Sequence, residues 1–163
     1  MYMKLRILSI ALFSFVFILA ACNDTATTTP APAVKTKTDL LCFSNWKLTA
    51  AVINPGIDIG GGTLITDLRA QSDSCDLDNF TKFNADKTGT DDNGLTKCDP
   101  TDPQSTPFVW AFNLDETKIT YDGDLYDIVT LNETTLIIKI IIDGEDLGAT
   151  KGDKYTITTT FKH

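Results

Sequence analysis

Few side chains in this sequence are suited to chemistry, and histidine is almost absent. The single histidine is the C-terminal residue, His163. A Ser-His or Cys-His nucleophile would therefore depend on a chain end, and chain ends are poorly held unless they are packed down. One terminal histidine and scattered cysteines also fail to supply the ligand spacing of a zinc site. Carboxylates and cysteine thiols remain.

Eight aspartates crowd the stretch between residues 73 and 102. Hard cations such as calcium bind clustered carboxylate oxygens, but the alternating Asp/Asn loop with its glycine is missing, and we favour a solvated acidic turn. A glycoside-cleaving pair needs two carboxylates at a defined separation, which the sequence does not place. We therefore expect no enzyme activity, no cofactor and no metal site. The aspartates are Asp73, Asp76, Asp78, Asp86, Asp91, Asp92, Asp99 and Asp102.

Residues 1–21 have the pattern of a lipoprotein signal peptide. Lys4 and Arg6 provide a positive start, an apolar run follows, and the stretch from Leu19 to Cys22 reads Leu-Ala-Ala-Cys. This ending matches the lipobox of bacterial lipoproteins, in which the cysteine thiol is acylated by groups such as palmitate and the chain is cut just before it. The alternative is an ordinary cleaved leader with an incidental cysteine. We expect Cys22 to be lipidated and to begin the mature chain.

Lipidation would set the location and the partners of the protein. We expect a lipid-anchored protein of the cell envelope. Asn23 is not the aspartate associated with inner-membrane retention in some bacteria, which favours the outer membrane. The chain carries 14 basic and 22 acidic residues, a formal net charge of −8, which disfavours nucleic acid and anionic lipid surfaces as partners. Membrane attachment would come from the acyl chains.

Three cysteines remain once Cys22 is acylated, so one must stay free or pair outside the chain. Cys75 and Cys98 both lie in polar, Asp-rich ends of a predicted hairpin, and we predict a disulfide between them. Cys42 lies in an apolar stretch before the first strand, where a buried free thiol behaves as a small hydrophobe.

The domain organisation follows from composition. Residues 23–38 contain six threonines, two prolines and no aromatic residue, so they cannot bury enough apolar surface to fold. We therefore expect residues 22–39 to be the lipidated cysteine and a tether, and residues 40–163 to be one folded domain.

The remaining chain alternates between strands and tight turns, with no helix-length period between them. Consecutive hairpins indicate an antiparallel meander, and about eight strands in that order close into an up-and-down barrel. We thus predict an all-β fold in which residues 54–63 break the first strand and residues 64–70 are ambiguous between strand and helix. The predicted strands are Trp46–Val52, Phe80–Phe83, Thr90–Asp92, Phe108–Leu114, Lys118–Tyr121, Leu125–Leu131, Thr135–Ile142 and Lys154–Phe161.

Two strands carry specific expectations about which side is covered. Alternation in the first strand places Trp46, Leu48, Ala50 and Val52 on one face. The strand Thr135–Ile142 is apolar on both faces, so we expect residues 57–68 to lie over its outer side. The alternative is that this outer side is a protein-binding surface.

A family resemblance rests on motifs spread over residues 40–163. The motifs are Trp46-x-Leu48, Cys75-x-x-Asp78-Asn79, Phe83-x-x-Asp86 with Gly89, Gly94-x-x-x-Cys98, Trp110, Tyr126-x-Ile128-x-x-Leu131 and Leu136. The pattern resembles the lipocalin-like domain of small lipoproteins common in Bacteroidetes. This resemblance implies a small calycin-like barrel, tethered by lipid and without a defined biochemical role. The chain departs from the pattern at Lys87, because such domains often place glycine directly after the aspartate.

Five aromatic residues could line a ligand cavity or fill the barrel, since an eight-stranded interior is just wide enough for either. Two functions follow. We favour a filled interior and a structural or interaction module that presents its barrel to a protein or glycan. The alternative is a carrier of a small apolar ligand in the barrel. The five residues are Trp46, Phe108, Trp110, Phe112 and Tyr155.

Overall fold

In the computed structural model, residues 34–58 and 62–163 are described. The predicted signal peptide, Cys22 and the tether up to residue 33 lie outside these residues. Residues 34–163 form one compact unit. Within the described residues, we find no helix with the length and apolar character that crossing a membrane requires.

Among the described residues, strands are the main elements, and they are accompanied by one short α-helix and three short 3-10 helices. The 3-10 helices are Arg69–Gln71, Ser74–Asp76 and Gly144–Leu147. The other elements are α1 (Lys37–Leu41), β1 (Asn45–Asp58), β2 (Leu64–Asp67), β3 (Phe80–Phe83), β4 (Thr88–Asp92), β5 (Ser105–Phe112), β6 (Lys118–Tyr121), β7 (Asp124–Leu131), β8 (Thr135–Asp143) and β9 (Lys154–Lys162).

The long strand β1 closes the sheet on itself. Its beginning pairs with β3, its middle with β9 and its end with β2, all antiparallel. Strands β3 to β8 each pair with the next strand along the chain. The result is a closed, eight-stranded antiparallel barrel of β1 and β3–β9, which confirms the predicted all-β, up-and-down architecture.

The prediction for the first strand is wrong in its second half. Trp46 is fully buried, but Val52 is 47% exposed. The register with β9 shifts between Leu48 and Ala50, so Thr49 is an extra residue that forms a β-bulge. A bulge reverses the facing of all residues beyond it, and Ala51 and Ile53 become the buried positions. The strand also continues through Pro55 to Asp58, where we expected a loop, because its end pairs with β2.

Helix α1 covers the end of the barrel where β1 begins. It starts with a capping box, in which Thr36 and Asp39 bond each other's backbone N–H groups. Leu41 at its end is fully buried, and its carbonyl oxygen accepts a hydrogen bond from Nε1 of Trp46 at 2.7 Å. Residues 37–39, which we expected in the tether, are therefore helical, since a local cap and a buried anchor outweigh their polar composition.

The closed end of the barrel carries α1 and the tight turns after β3, β5 and β7; the open end carries the other connections. In the turn after β3, Asp86 accepts hydrogen bonds from the backbone N–H and the hydroxyl of Thr88 at 3.0 and 2.6 Å. These bonds hold the pKa of the Asp86 carboxyl below its usual range. Lys87 has a φ of 72°, the left-handed conformation that favours glycine. The departure from the family pattern at Lys87 is thus a non-glycine residue in a glycine-type position.

The core fills the closed half of the barrel. Phe108 packs directly on Gly89, where an added Cβ would lie 2.2 Å from the ring and 2.7 Å from the carbonyl oxygen of Lys82. Gly89 is therefore needed for close packing. The buried core cluster consists of Leu41, Trp46, Phe83, Phe108, Trp110, Ile119, Leu136, Ile138 and Phe161.

The outer side of β8 is not covered as we expected. Ile141 is 62% exposed. The segment proposed to cover it instead includes β2, which extends the sheet by pairing with the end of β1. β2 is therefore an added strand at an edge, not a lid over β8.

Candidate functional site at the open end of the barrel

A cavity of about 380 Å³ opens at the end of the barrel opposite α1. This volume lies within the range of protein sites for small molecules. The barrel strands β1, β3, β4, β6 and β9 form its inner part, and the segment from β2 to β3 forms one side of its rim. The lining residues are Trp46, Leu48, Arg69, Ser72, Asp76, Asn79, Phe80, Thr81, Asp91, Asp92, Asn93, Tyr121, Thr159 and Phe161.

A carboxylate inside the barrel, that of Asp91, is the central polar group of the cavity. The hydroxyl of Tyr121 donates to both carboxylate oxygens, at 2.9 and 3.0 Å, and the hydroxyl of Thr81 donates to Oδ1. Thr81 is 6% exposed, and Asp91 and Tyr121 are half-buried. Two neutral donors thus hold the carboxylate in one orientation.

The hydroxyl of Tyr121 acts as a donor over the ordinary pH range. Burial raises the pKa of Tyr121 well above its usual value of 10.0, and the negative charge of Asp91 raises it further. The ring is packed against Phe108, with 4.7 Å between the ring centroids. Packing and a raised pKa together keep this hydroxyl neutral and pointed at Asp91.

The rim is held by the disulfide between Cys75 and Cys98, which confirms the predicted pairing. It joins the segment between β2 and β3 to the loop between β4 and β5. Asp78 strengthens the same junction, because its Oδ2 accepts from the backbone N–H of Leu95 at 2.7 Å. Arg69 donates to the carbonyl oxygens of Asp76 and Leu77, each at 3.4 Å.

The five aromatic residues singled out in the sequence are not gathered around the cavity. Trp46 lies beneath it and is fully buried. Phe108 and Trp110 are core residues, 7% and 2% exposed, and Phe112 is half-buried against the core. Tyr155 is 8% exposed and lies near Gly144 on the β8–β9 connection. Trp46 alone among these five touches the cavity.

The remaining thiol lies near the closed end. Cys42 is free and half-buried, and it packs against the core cluster. Burial raises the pKa of its thiol.

One group of potential metal ligands lies at the rim. Ligand atoms of Asp73, Cys75, Asp76 and Cys98 lie within 4.8 Å of one another. Both sulfurs belong to the disulfide, so they are not thiolates. Two carboxylates remain, and together they offer at most four oxygens. Calcium takes six to eight oxygen ligands.

Sequence reasoning missed Thr81, Asp91 and Tyr121 as a group. Thr81 lies between Phe80 and Lys82 in a strand of four residues, and Asp91 lies in a short polar strand. Neither strand has an alternation that shows which of its faces points into the barrel. Pairing of Thr81 with Asp91, and of Trp46 with Thr81, places the two polar residues on the inner face. Alternation of Tyr121 with the buried Ile119 is the one signal that could have found it.

A family model matches more than half of this chain. The fold of that family is generally a non-enzymatic binding fold. Comparison with curated proteins finds no significant match. The family model described as a lipocalin-like domain matches residues 45–138, more than half of the 163 residues. The chain therefore belongs to the lipocalin-like domain family.

Proposed function

We propose that this protein is a lipid-tethered binding module of the cell envelope that holds a small ligand at the open end of its barrel. The observation that carries the proposal is the cavity of about 380 Å³, which reaches from the rim to Asp91 inside the barrel. A filled barrel used only as a scaffold has no need of such a space. The family supports a binding or structural module, and the cavity favours binding.

The lining favours a ligand that is partly polar. Phe80, Tyr121 and Phe161 offer aromatic surface, whereas Asp91 and Thr81 offer polar atoms at the inner end. A purely apolar ligand would have to displace water from the carboxylate without replacing its hydrogen bonds, which is unfavourable. We therefore propose a small ligand with an apolar part and a polar end, in place of the purely apolar ligand of the carrier alternative.

The place where the described chain begins suits this function. Lys35, near the first described residue, forms a 2.7 Å salt bridge with Glu133 in the turn after β7, and its ammonium lies 4.3 Å from the Phe43 ring centre. Both contacts are at the closed end. The tether would therefore join the domain at its closed end and not at the mouth of the cavity. The outer membrane is the membrane we propose.

The experiment is native mass spectrometry of the protein purified from its own envelope. We expect a retained small molecule in one-to-one ratio, released when the protein is unfolded. The same preparation should show the mass of acyl groups on Cys22. A matched preparation of a variant with the cavity narrowed by Thr159→Trp should carry much less of the molecule. A ligand-free protein that also binds no molecule from an envelope extract would contradict the proposal.

A second candidate, the interaction module, is favoured by a separate observation on the outer side of β1, β9 and β8. Val52 and Ile141 are 47% and 62% exposed there. Strand β9 lies between β1 and β8, and its outer positions are the threonines Thr156, Thr158 and Thr160. Cross-linking in the intact envelope tests this candidate, with Ile141→Lys as the variant. The control is Val109→Lys, an exposed position on β5, which β6 and β7 separate from β8. Loss of a cross-linked partner in the first variant alone would support it.

A further inference from the structure

We propose that the cavity binds an organic cation, a protonated amine or ammonium carried on a small apolar body, with Asp91 as the counter-ion. This inference rests on the proposed binding function and names its ligand class. It starts from the unusual position of a carboxylate on the inner face of a small barrel. A charge taken out of water is costly unless an opposite charge and hydrogen bonds compensate for it.

The hydrogen bonds are present, but the opposite charge is not. Tyr121 and Thr81 are neutral donors to Asp91. In the described part of the chain, no lysine, arginine or histidine nitrogen lies within 4.0 Å of the Asp91 carboxylate. The cationic side chain of the lining, Arg69, donates its guanidinium N–H groups to backbone carbonyls of the rim. A bound cation would supply the charge that the protein itself does not.

The charges around the cavity favour the same sign of ligand. Its lining holds three carboxylates, Asp76, Asp91 and Asp92, against the single guanidinium of Arg69. The whole chain has a formal net charge of −8. A cleft lined by one sign of charge concentrates ligands of the other sign. An anionic ligand would be repelled by Asp76 and Asp92 nearer the rim and by Asp91 inside the barrel.

Aromatic rings next to the carboxylate select an organic cation over a metal ion. Tyr121 and Phe80 both line the cavity, and an ammonium group over such a ring gains a further electrostatic attraction. A metal ion needs several oxygen ligands, yet both hydroxyls closest to Asp91 turn their hydrogens toward it. The volume of about 380 Å³ also leaves room for an apolar body attached to the cation.

The test compares three probes of similar size and different charge by calorimetric titration of the full chain in a non-ionic detergent. The probes are phenethylamine, 2-phenylethanol and phenylacetate at neutral pH. We expect phenethylamine to bind one-to-one, about ten-fold or more tightly than the neutral alcohol, as a charge-assisted bond implies. Phenylacetate should not bind. This comparison uses the unaltered protein, so it does not depend on the folding of any variant.

Variants then assign the charge to Asp91. Asp91→Asn keeps the size of the side chain and should weaken phenethylamine about ten-fold. Asp146→Asn removes one charge from an exposed position on the β8–β9 connection at the same end, and it should leave binding within about two-fold. A fall in melting temperature for Asp91→Asn with unchanged phenethylamine affinity would show a purely structural carboxylate and overturn the proposal.

The outcomes separate this inference from the proposed function. Preferential binding of 2-phenylethanol or phenylacetate, or a retained natural molecule without a positive charge, would overturn the cation proposal and leave the binding function standing. Binding of none of the probes, together with no retained molecule in native mass spectrometry, would overturn both.

Discussion

The hydroxyl of Tyr121 on β6 donates to both carboxylate oxygens of Asp91 on β4, at 2.9 and 3.0 Å. Strand β5 lies between the two, so this contact spans the inner face of three neighbouring strands. The bond performs two tasks. It ties the strands together at the open end, and it fixes the carboxylate that we propose as the counter-ion of the ligand.

Removal of this hydroxyl should destabilise the fold. Tyr121→Phe leaves Asp91 with Thr81 as its side-chain donor, and a hydrogen bond to a charged group contributes about 2 kcal/mol. Urea denaturation should show a loss of that size in the free energy of unfolding. Tyr126→Phe is the control, because among the described residues its hydroxyl has no hydrogen-bond partner, and it should cost less than about 0.5 kcal/mol. Equal losses in both variants would contradict this account.

Alkaline pH should weaken the fold through the same residue. The folded state favours the neutral form of Tyr121, whose pKa lies above the ordinary 10.0. The stabilisation is therefore complete below pH 10 and is lost as the pH rises from there toward the folded-state pKa. Melting temperatures from about pH 9 to about pH 11.5 should fall less steeply in Tyr121→Phe than in the unaltered protein. Parallel slopes in the two proteins would argue against burial of this phenol.

Loss of the disulfide should loosen the rim and lower stability. Cys75 and Cys98 are 23 residues apart, and on the chain-entropy model a loop of this size contributes about 3 kcal/mol. Cys75→Ser with Cys98→Ser should lower the melting temperature while the far-ultraviolet spectrum stays that of a barrel at low temperature. Non-reducing peptide mapping should find Cys42 outside the bridge. A bridge that includes Cys42 would contradict the pairing.

Trp110 should matter for stability and not for the cavity. It is 2% exposed, and its Nε1 lies 3.1 Å and 3.0 Å from the carbonyl oxygens of Asn84 and Thr88. Trp110→Ala should cost about 4 kcal/mol, as other large buried aromatic residues do. Val109→Ala on the same strand, 70% exposed, should cost less than about 1 kcal/mol. Phenethylamine affinity should be unchanged in whatever fraction of Trp110→Ala stays folded. A weak effect on stability with lost binding would place Trp110 in the cavity wall.

The sequence alone was sufficient to predict the barrel and its disulfide, because the signals for both are local. Alternation in β6, β7, β8 and β9 reflects burial of one strand face, so their positions could be predicted within about a residue. The disulfide could be predicted because both cysteines lie at the ends of one hairpin. These signals are contained within short stretches of chain.

The site was decided by tertiary structure, because it depends on register and closure. The bulge at Thr49 turned Val52 outward, and no local signal announces a bulge. Asp91 looked like one of eight solvated aspartates until pairing with Thr81 placed it inside the barrel. Its contact with Tyr121 joins residues 30 positions apart on strands that are not even neighbours. Short polar strands carry no burial pattern, so only the closed sheet determines which of their side chains face the cavity.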